Sequence, residues 1–157
     1  MRKPNDTKPN EKTACTRSAT LLLIETCDIL KREDVFHKRS RWLFTYKIAD
    51  IINDFHTSVI EANETRVSCH RDFVDRHVWF TRAQAHLKTL SAKMTMAQLV
   101  EKIPVKLFEK WAGLWNDAWD SLLKQINSDT KRYTEQFGEL SAKEIASREE
   151  ELISYTR

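Results

Sequence analysis

Residues 41–66 read RWLFTYKIADIINDFHTSVIEANETR, and this stretch decides the fold class. Its apolar residues recur at steps of three and four, which places them on one stripe of an α-helix. They are Phe44, Ile48, Ile51, Phe55, Val59 and Ala62. The stretch contains no glycine or proline, and about 26 helical residues make a rod of roughly 39 Å. A single amphipathic rod of that length cannot bury its stripe alone, so the rest of the chain must supply partner helices.

The composition favours one all-α domain. The chain has 157 residues but only two glycines and three prolines, which are too few turn formers for a β-rich fold. The net charge of +3 permits a nucleic-acid partner without requiring one. Three cysteines without a CxxC pair favour a reducing cytoplasm over a disulfide framework. No apolar run is long enough for a membrane span or a secretory signal, so we expect a cytoplasmic protein.

The pattern along the chain predicts an antiparallel up-and-down four-helix bundle with a tail at each end. We expect a flexible basic arm over 1–17, the bundle over 18–127 and a helical extension over 128–157. The bundle helices are predicted over about 18–31, 41–64, 70–102 and 105–127, and the third helix has a stripe from Phe73 through Arg76 and Ala97 to Glu101. Gly138 and a capping box at Ser141 predict a final short helix in the extension.

Two short features should complete the core. The charged connector 31–40 contains Val35 and Phe36, and we expect both side chains to be buried beneath the bundle. Cys27 lies on the first helix's apolar stripe and is expected to be a small buried side chain.

The fourth helix has three tryptophans at spacing four, Trp111, Trp115 and Trp119. Its apolar surface is broader than one pair of antiparallel neighbours would need. Either this is the most buried helix, or part of it meets another subunit. The three tryptophans are therefore candidate residues of an oligomer or partner interface.

Motifs for catalysis are weak. No P-loop, dinucleotide-binding glycine pattern or nucleophile elbow occurs. Glu61 and Glu64 have the spacing of one metal-binding half of the all-α nucleotide pyrophosphohydrolases, and Asp72 and Asp75 could supply a second pair. Cys69, His70 and His77 could also supply the ligands of a metal site, although their spacing is only a weak signal. We expect no enzyme, catalytic residue, metal or cofactor, with a metal-dependent nucleotide hydrolase as the minor alternative.

Basic residues around the second helix are the stronger signal. The candidate nucleic-acid-binding residues are Lys38, Arg39, Arg41, Lys47, Arg66, Arg71 and Arg82. Spaced cations of this kind bind phosphate backbones with salt-dependent affinity. The alternative is a mixed, solvated face in which Asp50, Asp54, Asp72 and Asp75 offset these cations.

Several segments together resemble a known family. Residues 29–44, ILKREDVFHKRSRWLF, form a charged connector with an aromatic, and the second helix closes on IEANETR at 60–66. The fourth helix reads KLFEKWAGLWNDAWDSLLKQ over 106–125. Over residues 20–128 this order is similar to the accessory variability determinant proteins of diversity-generating retroelements, which are four-helix bundles.

The resemblance implies a non-catalytic accessory subunit that forms a homo-pentamer. Such a subunit binds the retroelement's reverse transcriptase and its template RNA or cDNA, and it supports adenine-directed mutagenic cDNA synthesis. The RNA contact would be electrostatic and shape-based. A related bundle family, encoded within ribosomal RNA intervening sequences, has a similar pattern and implies a protein-interaction module without nucleic acid.

Overall fold

The computed structural model describes residues 11–155, and within them the chain forms five α-helices and no strand. The helices are α1 (Glu11–Lys31), α2 (Thr45–Glu64), α3 (His70–Glu101), α4 (Val105–Phe137) and α5 (Ala142–Tyr155), and a 3₁₀ turn spans Lys38–Ser40. The expected all-α class is confirmed. No helix in this described part is both long and apolar enough to span a membrane.

The first four helices share one core. α1 packs against α2 and α4, and α3 packs against the same two helices, while α5 packs against α3. Because each of the four long helices has two long neighbours, their apolar stripes pack together in one core. The aromatic side chains at the centre of this core include Phe55, Phe80 and Trp111, all fully buried.

The buried stripes of α2 and α3 largely follow the sequence pattern. On α2 the buried residues include Ile48, Ile52 and Phe55, and Ile51 is only half-buried, so the stripe steps by four and then three at this point. Ile51 still packs against the core, from the edge of the stripe, because both spacings satisfy a 3.6-residue period. On α3 the predicted stripe is buried from Phe73 to Ala97, Arg76 included, whereas its last predicted member, Glu101, is only half-buried.

The helix boundaries differ from the prediction at both ends of the bundle. α1 begins at Glu11 rather than near residue 18, so the end of the predicted arm is helical; residues 1–10 lie outside the described residues. Cys15 is buried on this added turn, whereas Cys27, which was expected to be buried, is only half-buried. Packing against neighbouring helices therefore extends α1 through a polar sequence.

α4 likewise continues past residue 127, through the first part of the predicted extension. It ends at Phe137, where Gly138 takes a positive φ of 94° that favours glycine. The final helix, α5, follows at Ala142 as the capping box predicted. Arg148 of α5 pairs with Asp75 of α3, with Nε donating to Oδ1 at 2.6 Å, and α5 has no buried residue of its own.

Candidate nucleic-acid interface

The connector between α1 and α2 is held in a fixed shape by its own apolar residues. Val35 and Phe36 are buried, as expected, and Phe44 is buried where the connector enters α2. The backbone N–H groups of Val35 and Phe36 both donate to the carbonyl of Arg32. With its apolar side chains anchored inside, the connector presents its charged residues outward.

This segment concentrates positive charge. Residues 31–47 contain six basic residues and two acidic ones, Glu33 and Asp34. Arg32 pairs with Asp34, and the hydrogen bond holds the pKa of that carboxyl below its ordinary value. Glu33 lies 3.5 Å from Lys38 Nζ and 3.3 Å from Arg41 Nη2. Two carboxylates therefore neutralise only part of the local charge.

Arg39 and Lys47 remain uncompensated. Both are exposed, and among the described side chains no carboxylate lies within ion-pair distance of either. Arg41 is half-buried, and its Nε has no hydrogen-bond partner in that same part of the chain. A phosphate oxygen beside Arg39 or Lys47 would therefore meet a cation without displacing an acidic partner.

Two aromatic side chains stand among these cations. Trp42 is 68% exposed and Tyr46 is 62% exposed, at consecutive turns of the chain entering α2. Exposed aromatics next to basic residues are the usual stacking platforms for unpaired bases. We call Lys38, Arg39, Trp42, Tyr46 and Lys47 the connector surface.

Neither aromatic was among the residues singled out from the sequence, although a signal was present. Tyr46 lies two positions before Ile48 on the buried stripe of α2, and Trp42 lies two positions before Phe44 in the helix that the sequence predicted from residue 41. Two positions on a helix are about 200° apart, so a residue at that offset points away from the core.

The seven candidate cations do not form one patch. Arg66 and Arg71 follow the C-terminus of α2, and Lys47 lies at its start. α2 has 20 residues, so about 30 Å of helix separates the two groups. Arg66 and Arg71 are exposed, and no described carboxylate pairs with them.

Arg82 occupies a third place, halfway along α3. Its guanidinium carbon lies 5.1 Å from the centre of the Trp79 ring, and its Nη1 is buried without a described hydrogen-bond partner. Burial lowers the pKa of the neighbouring His86, with the Asp54 charge opposing this shift. Since Arg82 is half-buried against an aromatic ring, it offers a strand less surface than Arg39 does.

The three tryptophans of α4 differ in their accessibility. Trp111 is 0% exposed, and its Nε1 donates to Thr26 Oγ1 at 2.9 Å, so it has no surface to offer a second chain. Trp115 and Trp119 are half-buried and stacked, with ring centres 5.4 Å apart. Trp115 Nε1 also donates to the carbonyl of Leu87. The sequence left two alternatives for this ridge, burial in the core or contact with another subunit, and Trp111 is buried in the core.

Other apolar residues are more exposed than this ridge. Leu99 and Val100 end α3, and Val105 begins α4, each more than half exposed. The turn 102–104 joins these helices, so the three side chains lie close together along the chain. Several exposed apolar side chains within one short segment are a candidate protein contact.

Of the two acidic pairs considered for metal binding, Asp72 and Asp75 have other partners. Asp75 accepts from Arg148, and Asp72 accepts from the backbone N–H groups of Ser68 and Cys69 at the start of α3. His70 contacts Glu144 of α5 through Nε2 at 3.3 Å. In residues 11–155 no group of three or more His, Cys, Asp or Glu side chains has a metal-binding arrangement.

No family model matches this sequence, and neither a curated protein nor a solved structure matches it.

Proposed function

We propose that this chain is a non-catalytic accessory subunit of a diversity-generating retroelement, which binds the reverse transcriptase and the template RNA during mutagenic cDNA synthesis. One observation carries the RNA part: the exposed Trp42 and Tyr46 lie between the exposed, uncompensated cations Arg39 and Lys47 along the chain. Cations hold the phosphates while the aromatic rings stack on bases, without reading a sequence. The three free cysteines suit the reducing cytoplasm in which such a subunit works.

The arrangement proposed for α1–α4 is the antiparallel up-and-down four-helix bundle. Paired positions between helices support it, because they run in opposite directions along each pair. Thr26 bonds to Trp111 while Ser18 bonds to Ser121, which relates α1 and α4. Further pairs are Thr16 with Asn63 and Thr20 with His56 for α1 and α2, and Arg76 with Asp129 and Leu87 with Trp115 for α3 and α4.

Self-association is the second part of the proposal, with a homo-pentamer as the expected form. The exposed Leu99, Val100 and Val105 supply an apolar contact, and the half-buried Trp119 is a second candidate contact further along α4. A closed ring would also repeat the connector surface in every subunit, which multiplies a small charge surplus into a large field. Light scattering on the purified chain should give one discrete oligomer, and a monomer at all concentrations would contradict the ring.

Fluorescence anisotropy with a labelled single-stranded RNA tests the nucleic-acid contact. The affinity of the unaltered chain should fall steeply as salt rises. The double variant Arg39→Gln with Lys47→Gln should bind more weakly and reduce the salt slope by about 1.4, or about 0.7 per lost phosphate contact. Trp42→Ala should weaken binding by about 5- to 150-fold, the equivalent of about 1–3 kcal/mol per stacked base.

A matched control removes the same charge from another surface. Lys124 and Lys131 are exposed on α4, and their double replacement by Gln should leave both the affinity and the slope nearly unchanged. If this control weakens binding as much as the connector variant does, the protein attracts RNA only through its net charge. If the unaltered chain is indifferent to RNA at low salt, the RNA contact is wrong.

The apolar group Leu99, Val100 and Val105 favours a second candidate, a protein-interaction bundle that needs no nucleic acid. The charge-reversal pair Arg39→Glu with Arg41→Glu separates the candidates. Reverse transcriptase binding that survives this change, in a chain that retains no RNA, supports the interaction module. Loss of RNA together with loss of polymerase binding supports the retroelement subunit.

A further inference from the structure

A polar cavity of about 460 Å³ lies where the end of α2 faces the second half of α4. Its wall includes Asn63, Arg66, Arg76, Gln125, Asp129 and Arg132. None of these cavity residues belongs to the connector surface, which lies about 30 Å away along α2. The cavity is therefore a separate feature of the molecule.

The back of the cavity is a buried hydrogen-bond network. Arg76 donates to Asp129 through Nε and Nη2 and to the carbonyl of Ala62 through Nη1. Gln125 Nε2 donates to Asp129 Oδ1 at 2.9 Å. Because an ionised carboxylate can only accept, this bond fixes which end of the Gln125 amide carries the nitrogen.

Two acceptors in this wall have no donor. Gln125 is 5% exposed and its Oε1 is buried without a partner among the described residues. Asn63 is 4% exposed; its Nδ2 donates to Thr16 Oγ1, and its Oδ1 likewise lacks a described donor. Both oxygens are buried just behind the cavity surface, so a side-chain rotation must bring each of them to a ligand. A buried acceptor without a donor costs about 1–3 kcal/mol, so the wall favours a molecule that supplies O–H or N–H groups.

The outer wall of the cavity instead favours a negatively charged group. Arg66 and Arg132 are exposed there, and within the described chain neither has a carboxylate at ion-pair distance. Arg132 is partly fixed, because its guanidinium carbon lies 5.4 Å from the centre of the Tyr133 ring. Glu64 is the acidic residue of this rim. Two arginines against one carboxylate favour an anion, and guanidinium groups match the oxygens of phosphate well.

Size and polarity select among anions that carry donors. The volume falls in the range of about 300–1,000 Å³ that is typical of small-molecule sites, so inorganic phosphate would leave most of it unfilled. The wall is mainly polar, with Val67 and Tyr133 as its apolar parts, which suits hydroxyl groups better than a large flat ring. A phosphorylated sugar meets all of these conditions.

We propose that this cavity binds a ribose phosphate, with the phosphate at Arg66 and Arg132 and sugar hydroxyls donating to Asn63 Oδ1 and Gln125 Oε1. A free sugar phosphate and a nucleotide both present this unit. This site is separate from the connector surface proposed to bind RNA, since it is formed by different residues at a different place.

Isothermal titration calorimetry on the full chain tests the assignment with four probes: ribose 5-phosphate, adenosine monophosphate, ribose and inorganic phosphate. Both phosphorylated probes should bind, and ribose and phosphate should each bind at least about tenfold more weakly. Equal affinity for the two phosphorylated probes identifies the sugar phosphate as sufficient. Tighter binding of adenosine monophosphate identifies a nucleotide as the source.

Two double variants locate the binding. Arg66→Gln with Arg132→Gln should weaken ribose 5-phosphate about tenfold or more, whereas Arg71→Gln with Lys131→Gln removes the same charge from exposed positions outside the cavity wall and should have little effect. All four positions are exposed, so circular dichroism should show both variants folded. Gln125→Leu, checked by its unfolding midpoint, removes one acceptor and should weaken ribose 5-phosphate more than phosphate.

Three results would overturn the proposal. The first is no heat from either phosphorylated probe at about 10 mM, a concentration that detects millimolar dissociation constants. The second is phosphate binding as tightly as ribose 5-phosphate, which would make the site an adventitious anion site. The third is equal weakening by the two double variants, which would assign the effect to the general field of this end of the molecule.

Discussion

Arg76 of α3 and Asp129 of α4 form a buried two-point ion pair across the bundle, with Nε donating to Oδ2 at 2.5 Å and Nη2 to Oδ1 at 3.3 Å. Gln125 adds a third donor to the carboxylate. The pair lies close enough to Cys15 that both charges act on its thiol, so the network reaches α1 as well. With the Arg76 bond to the carbonyl of Ala62, its hydrogen bonds join α2, α3 and α4 at one buried polar point.

Breaking this pair should be costly. Asp129→Ala leaves the Arg76 charge buried without its partner, and we expect a loss of about 3–5 kcal/mol in the free energy of unfolding. Arg76→Met with Asp129→Leu removes both charges and should recover a large part of that loss. Urea unfolding followed by tryptophan fluorescence measures both. Glu135→Ala, at an exposed position on α4, is the control and should cost little. A loss below about 1 kcal/mol for Asp129→Ala would show that water reaches the pair.

The bundle helices could be predicted because their apolar periods are long and uninterrupted. α3 illustrates this, since every stripe position from Phe73 to Ala97 is buried. The extent of α1 and α4 could not be predicted in the same way. The ends that were missed are anchored by Cys15 and by Asp129, and an aspartate that is buried through an arginine partner counts as a surface residue in any apolar pattern.

The candidate site could be predicted from the sequence only where its residues are close together along the chain. Lys38, Arg39 and Lys47 are close in sequence and share the connector end. Arg66 was grouped with them from its charge alone, but a rigid helix of about 30 Å keeps it apart. The cavity acceptors Asn63 and Gln125 gave no sequence signal, because only the assembled helices show that they lack donors.

Asp72 predicts a pH-dependent contribution to stability. Its Oδ2 accepts from Ser68 N at 2.9 Å and from Ser68 Oγ at 2.6 Å, and it also accepts from Cys69 N. The Ser68 hydroxyl contributes most to lowering the pKa of this carboxyl below its ordinary value of 3.8. A group with a lowered pKa in the folded state stabilises the fold above its unfolded pKa and loses that effect as the pH falls through the folded one.

Asp72→Ala should therefore lower the melting temperature at pH 7, and the difference from the unaltered chain should shrink as the pH falls below about 4. Thermal unfolding followed by circular dichroism at several pH values measures the difference. Glu64→Ala serves as the comparison, because that residue is exposed at the end of α2. A difference that stays constant down to pH 2 would mean that the carboxylate does not cap α3.

The cysteines should react in the order of their accessibility. Burial raises the pKa of the Cys15 thiol to about 12, with the Arg76 charge opposing the shift, whereas Cys69 is exposed. At pH 8 only about 0.01% of a thiol with that pKa is thiolate, the reactive form. Iodoacetamide followed by mass spectrometry should label Cys69 first, Cys27 more slowly and Cys15 only in denaturant. Early labelling of Cys15 in the native protein would show that the first turns of α1 are open.

Lys102 predicts a stabilising substitution. It ends α3 in the left-handed conformation, with φ 53° and ψ 50°, which costs a residue with a Cβ about 1–2 kcal/mol. Lys102→Gly relieves this strain but increases the entropy of the unfolded chain, so we expect a net gain of about 0.5–1 kcal/mol. Lys106→Gly is the matched control: the residue is also an exposed lysine, but it lies within the first turn of α4, where glycine should be destabilising. Urea unfolding should move the two midpoints in opposite directions, and a loss of stability in Lys102→Gly would mean that the lysine side chain stabilises this turn by more than the strain costs.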